Sequence, residues 1–153
     1  MKLAAIDIGS NAARLLVSEV TETENYKPSF TKLNLIRVPI RLGFDVFEKN
    51  EISSKRTSML LQTMKAFNYI LKVYDVKYLK ACATSAMRDA RNSPEIIKKV
   101  KLETGIKIEI ISGDEEASVH QTTVQARRQN VNTVLLALDY PRNGILTSRC
   151  WGW

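Results

Sequence analysis

The sequence predicts an α/β fold built on a mixed five-stranded sheet with flanking helices. Three observations carry this. Three extended, apolar-rich runs come first and are joined by short connections, which reads as an antiparallel meander. Beyond residue 53, helix-spaced apolar positions alternate with two further short apolar runs, which reads as parallel crossovers. The chain has 153 residues, 44% hydrophobic and 25% charged, enough for one domain with a core of its own.

Lys2 to Ile8 reads as a buried strand and Leu15 to Val20 as a second, with Gly9-Ser10-Asn11 as the turn between them. Asn25-Tyr26-Lys27-Pro28 reads as a loop. Phe30 to Ile40 follows as a third strand, in which Leu33 and Leu35, continued by Arg37, alternate with polar neighbours. Leu60, Met64, Phe67, Leu71 and Tyr74 step by four and three and so share one helical face, with Ser53 or Ser54 as the N-cap. Val76 to Ala83 is a strand. Ser93-Pro94 starts the next helix, Ser as N-cap and Pro at the first position; Ile96, Ile97 and Val100 form its apolar face and Gly105 closes it. Ile106 to Ile111 is the fifth strand, and Gly113-Asp114-Glu115-Glu116-Ala117 opens a further helix whose first-turn acids suit the helix dipole.

The bulk properties narrow the function. Asp7 interrupts the first apolar run too early for a signal peptide, and no apolar stretch reaches the length of a membrane span. Cys82 and Cys150 do not make a disulfide framework or a metal knuckle, which leaves a reduced cytoplasm as the default compartment. The net charge of +7 suits a polyanion. With no Lys/Arg block and no interleaved aromatics, nucleic acid is not the expected partner, and a substrate made of phosphates fits the same charge.

Three segments have the residue types for phosphate chemistry. In the first, a buried strand ends in Asp7 and runs into Gly9, Ser10 and Asn11, with Arg14 just beyond. Such a turn aims backbone N–H groups and a hydroxyl at one spot, and Asp7 could hold Mg²⁺ directly or through water. The same residues also suit an ordinary hairpin whose Asp7 caps the turn. In the second, Thr84 and Ser85 lie at the carboxyl end of a strand, where open α/β sheets bind ligands, and Arg88 follows Thr84 by one helical turn. A capped helix with Arg88 in a surface ion pair is the plainer alternative. In the third, Asp114, Glu115 and Glu116 crowd three carboxylates at a strand end, where one could activate a water; they also suit a solvated first turn. His120, the only histidine, has no nucleophile evidently paired with it and reads as structural.

Taken in order, AIDIGSNAARLLV at 5–17, RLGFDVFEKNEIS at 41–53, ATSAMRDARN at 83–92 and IEIISGDEEA at 108–117 resemble the exopolyphosphatase / guanosine pentaphosphate phosphohydrolase family. The resemblance runs nearly continuously over residues 1–117. It implies a ribonuclease H-like, actin-like lobe that faces a second lobe across a cleft, in proteins that are often homodimeric. The implied activity is Mg²⁺-dependent hydrolysis of a terminal phosphoanhydride of polyphosphate or guanosine pentaphosphate. By position it assigns Asp7 to the metal, Gly9, Ser10 and Asn11 to the first phosphate loop, Arg14 and Arg88 to substrate phosphate with Thr84 and Ser85 nearby, and Glu116 to activation of the attacking water. Ala12 departs from a second Ser common at that position, and Phe44 from an acid or amide. Two other readings stay open: a module that binds polyphosphate or nucleotide without turnover, and part of an actin-like sugar or acetate kinase.

Residues 118–153 are expected to be an atypical tail, helix then strand and partly disordered. They contain no lysine and a single acid, Asp139, whereas all 13 lysines and 15 of the 16 acids precede them. The family's second phosphate loop, Asp-x-Gly-Gly-Gly-Ser, is missing. Val134 to Leu138 reads as a strand ending at Asp139, but Pro141 removes a backbone donor where a phosphate nest needs one. A one-base shift through the codons from Arg149 to the stop permits Asp-Val-Gly-Gly-Gly-Ser, so the tail is read as a frameshift product. On this reading the second lobe is absent and activity is low.

Overall fold

The computed structural model describes residues 1–23 and 26–112. Strands β1 (Lys2–Ile8), β2 (Ala13–Thr23) and β3 (Tyr26–Val38) come first. Helices α1 (Leu42–Lys49) and α2 (Ser54–Val73) lead to β4 (Tyr78–Ala83). Helices α3 (Ser85–Asp89) and α4 (Ser93–Thr104) then lead to β5 (Ile108–Ile110). The five strands form one sheet in the order β3-β2-β1-β4-β5. The β1–β2 and β2–β3 pairs are antiparallel; β1–β4 and β4–β5 are parallel. This is the mixed sheet expected from the sequence.

The main core lies on one face of the sheet. Ala4, Ile6 and Ile8 of β1, Ala13, Leu15 and Val17 of β2, and Ala81 and Ala83 of β4 point into it at alternate positions. Leu60, Met64, Phe67 and Leu71 of α2 and Ile96 and Val100 of α4 close it from above. The α2 residues are four of the five whose spacing predicted a shared face, the fifth, Tyr74, being the partly buried C-cap, and Ser53 caps the helix by accepting from Arg56 N at 3.4 Å. On the opposite face Leu3, Ala5, Leu16 and Val20 form a smaller cluster with Phe30 and Tyr78 beside it.

Several expectations need correction. Tyr26, Lys27 and Pro28 belong to β3 rather than to a loop. The register steps from Thr21↔Ser29 to Thr23↔Tyr26, so the backbone of Lys27 and Pro28 runs opposite Glu22 in an irregular stretch of an edge strand, where a missing N–H is tolerated. The alternation of Leu33 with Leu35 does not hold: Leu33 packs on the main core while Leu35 is 54% exposed. A second register shift opposite Val17/Ser18 leaves Leu33 as the extra residue of a bulge, and beyond it Ile36 and Val38 turn to the core instead. Helix α1 had no counterpart in the periodicity, because eight residues give only two buried apolar positions, Leu42 and Val46. The parallel strands are shorter than their apolar runs: Val76 and Ile106 pack against the core but precede the paired residues. Asn92, not Ser93, is the N-cap of α4, with Pro94 in the first turn and Gly105 in the left-handed conformation at the end. The expected helix after Gly113 and the strand ending at Asp139 lie outside the described residues. Among the described residues no helix is long and apolar enough to cross a membrane.

Two polar clips hold the α1 segment. Arg56 donates to Asp45 Oδ1 at 2.8 Å and to the Ile40 carbonyl at 2.7 Å, while Ser53 N donates to Asp45 Oδ2 at 3.0 Å. Burial alone would raise the Asp45 pKa, but hydrogen bonds from Ser53 and Arg56, with the Arg56 charge, overcome it and hold the carboxyl at about 2 against an ordinary 3.8. The second clip is Asn92. Its side chain accepts from Ile52 N at 3.0 Å and donates to Ile52 O at 2.8 Å, pairing a buried residue as a neighbouring strand would.

Because the folded pKa of Asp45 lies below the unfolded one, its contribution is complete above about pH 4 and is lost as the pH falls toward about 2. Asp45→Asn should therefore lower stability at neutral pH by about 1 kcal/mol, solvent screening included, and flatten the pH dependence in that window. Urea unfolding between neutral and acid pH checks this. Asn92→Ala should cost about 1–3 kcal/mol at any pH by the same assay, since both Ile52 backbone groups lose their partner.

Candidate functional site

The carboxyl ends of β1, β4 and β5 lie side by side. Ile8 pairs with Ala83 and Ala83 with Ile110, so the loops that leave these strands start at one level. Thr84 N donates to Ile8 O at 3.1 Å and Ile111 N to Ala83 O at 3.0 Å, extending the ladder by one residue into each loop.

The first loop is the turn from Gly9 to Ala12, closed by Gly9 N donating to Ala12 O at 3.0 Å. Gly9 has no positive φ, and a Cβ there would meet only the Ala12 carbonyl at an ordinary 3.5 Å. Nothing in the described fold requires glycine at this point. The turn is braced from outside. Arg41 N donates to Asn11 O at 2.8 Å and Gly43 N to Ser10 O at 2.9 Å, docking the first turn of α1 against it. Gly43 sits in a tight space: an added Cβ would stand 2.9 Å from the ring of the exposed Phe47, which can turn away, and 3.2 Å from Ser10 Cβ.

The second loop brings Ser85 to the first. The Ser10 and Ser85 hydroxyls are hydrogen-bonded at 2.7 Å across 75 residues of sequence. Thr84 is buried, caps α3 without a side-chain bond, and accepts Arg88 N at its carbonyl. The Arg88 side chain reaches the β5 end, donating to Ile111 O at 3.2 Å and lying 3.6 Å from Asp89.

Asp7 and Arg14 face each other across the β1–β2 pair and form an ion pair at 3.4 Å, with side chains 34% and 54% exposed. Among the described residues no three His, Cys, Asp or Glu side chains converge as a metal cage. Asp7 offers a single carboxylate beside the Gly9–Ala12 turn, a donor type that could hold Mg²⁺ with waters completing its shell.

The structure thus groups Ser10 with Ser85 and Asp7 with Arg14, and directs Arg88 to the end of β5. Glu116 and His120 lie outside the described residues. Sequence reasoning missed the bracing role of Gly43, and it missed Arg41, which stands at φ 59° in the left-handed region at the N-cap of α1. A non-glycine residue there costs about 1–2 kcal/mol, and nothing in its side chain announces it. The Gly43 contact was equally hidden, because Ser10 is its neighbour only after folding.

Comparison with known proteins follows the same lines. Residues 17–139 match the model of the Ppx/GppA phosphatase family, a span that continues past Ala117 to Asp139. A bifunctional 3-dehydroquinate synthase/phosphatase of Fusobacterium nucleatum is 39% identical over 120 residues, 76% of this chain and 18% of that protein. Exopolyphosphatase 1 of Mycobacterium tuberculosis is 29% identical over 117 residues, 76% of this chain and 33% of that protein. Among solved structures, an exopolyphosphatase from Cytophaga hutchinsonii superposes with a TM-score of 0.75 at 29% identity, over 82% of this chain and 39% of its own. The Aquifex aeolicus member of the Ppx/GppA family superposes with a TM-score of 0.74 at 27% identity, over 81% and 39%. The chain spans a third or less of the length of these two sequence relatives.

Gly43→Ala should leave global stability within about 1 kcal/mol, since better helix propensity offsets the crowding. It should nevertheless weaken the Gly43–Ser10 bond, seen as a loss of amide exchange protection at residue 43 with little change elsewhere.

Proposed function

Because this chain belongs to the Ppx/GppA phosphatase family, we propose that its described residues form one wall of a site for the terminal phosphates of polyphosphate or guanosine pentaphosphate, and that the reaction is hydrolysis of the terminal phosphoanhydride. The observation that carries this reading is the meeting of the Ser10 and Ser85 hydroxyls at the shared end of β1 and β4, in a sheet with Arg14 on one flank and Arg88 on the other.

The roles follow from the chemistry. The two hydroxyls and the Gly9 turn offer hydrogen bonds to phosphate oxygens, and the glycine that the fold itself does not need leaves room for an oxygen to approach the backbone. Arg14 and Arg88 offset charge on the phosphoryl group being transferred. Asp7 would hold Mg²⁺, which when bound neutralises phosphate charge and orients the leaving group. Arg14 would then exchange its contact with Asp7 for one with substrate. Glu116 is assigned to taking the proton of the attacking water.

Calorimetry should detect Mg²⁺-dependent binding of polyphosphate or guanosine pentaphosphate to the chain, weakened at least about tenfold by Arg88→Ala. Phosphate release should fall about 10²–10⁴-fold in Glu116→Gln while binding persists. Absence of binding to either compound would overturn the site. Binding without release by the wild-type chain would overturn hydrolysis by these 153 residues and leave a phosphate-binding module.

A further inference from the structure

Asp7, Arg14 and Arg37 stand in one row across β1, β2 and β3: Asp7 pairs with Arg14, and Arg14 with Arg37. Directly opposed residues of neighbouring strands share a face, with Cβ atoms about 4.5–5.5 Å apart. The ion pair to Asp7 puts Arg14 on the face opposite the main core. Arg37 belongs to that face too, because its neighbours Ile36 and Val38 turn to the core. The bulge at Leu33 sets this phase; without it Arg37 would be carried to the other side.

The row is electrostatically unbalanced. Two guanidinium groups lie side by side with one carboxylate between them and the rest of the sheet, and Arg14 already occupies that carboxylate. Arg37 is exposed and makes no ion pair among the described residues. Like charges directly opposite in a sheet destabilise it, and an anion on this face would relieve that repulsion. The row lies at the level of the Gly9–Ala12 turn, since Ala13 pairs with Val38 and Ile8 with Ala13.

We propose that Arg37 is a further phosphate-binding residue, which takes a phosphate group beyond the one being cleaved and extends the site from Arg14 toward the β3 edge. This rests on the phosphate-site reading of the previous subsection. Successive phosphates of a linear chain are one bridging oxygen apart and each carries charge, so adjacent arginines suit adjacent phosphates. A second phosphate arm of a nucleotide offers the same chemistry.

The test is calorimetry on the wild-type chain and on Arg37→Ala, Arg37→Lys and Arg14→Ala with three probes: inorganic phosphate, a long linear polyphosphate and guanosine pentaphosphate. Arg37→Ala should leave inorganic phosphate binding unchanged and weaken at least one longer probe about tenfold, with the salt slope reduced by about one charge. Arg37→Lys should restore the slope. Arg14→Ala should weaken all three. Loss with polyphosphate alone names a linear chain as the source of the extra phosphate; loss with the nucleotide alone names its second arm. Without ligand, Arg37→Ala should melt no lower than wild type, since a repulsion is relieved. Equal binding of every probe by wild type and Arg37→Ala, or a lower melting temperature accompanying the loss, overturns the proposal. Failure of the wild-type chain to bind any probe overturns the underlying site instead.

Discussion

The parallel pairing of β4 against β1 is the constraint on which the rest of this structure depends. It aligns Ile8 with Ala83, so that two loops far apart in sequence begin beside each other and two serine hydroxyls can meet. The α1–α2 segment carries the chain from β3 across to β4, and the apolar face of α2 shares one core cluster with the inward residues of both strands. Ala81 and Ala83 are nearly inaccessible. Larger side chains there would lift α2 and α4 off the sheet, and a register slip of one residue would turn Asp7 into the core.

The segment between β3 and α2 contributes rigidity rather than chemistry. Its backbone donates to Ser10 and Asn11, and it is itself held by Asp45, Arg56 and Asn92. The Gly9–Ala12 turn is therefore shaped from outside, by residues with no evident role toward a ligand. The cost is visible in the left-handed Arg41 and in the tight fit at Gly43. Strain of this kind persists only where surrounding contacts over-determine the backbone, and two main-chain bonds and two side-chain clips supply those contacts here.

Charge on the opposite sheet face follows a different logic. Arg14 has a partner in Asp7 but also a like-charged neighbour in Arg37, and exposure to water keeps the repulsion small. Such an arrangement trades a little stability in the free protein for readiness to meet an anion. On the proposed reading this matters, because hydrolysis of a phosphoanhydride draws most of its acceleration from positioning and electrostatics.

What the sequence by itself determined is the order of the five strands with α2 and α4 between them, the mixed sheet, and the buried faces of β1 and α2. These depend on local periodicity, on turn chemistry and on short motifs, all of which operate over a few residues. The third strand shows the limit. Its bulge reversed the face of Leu35 and placed Arg37 beside Arg14, because a register shift is settled by the partner strand. Helix α1 was too short for its two buried positions to make a pattern, and Ser93 yielded the cap to Asn92. Only the tertiary structure decided that Ser10 bonds Ser85, that Gly43 abuts Ser10 and that Arg41 is left-handed. Each of these is a contact between segments that chain connectivity leaves free to be anywhere, and packing alone brings them together.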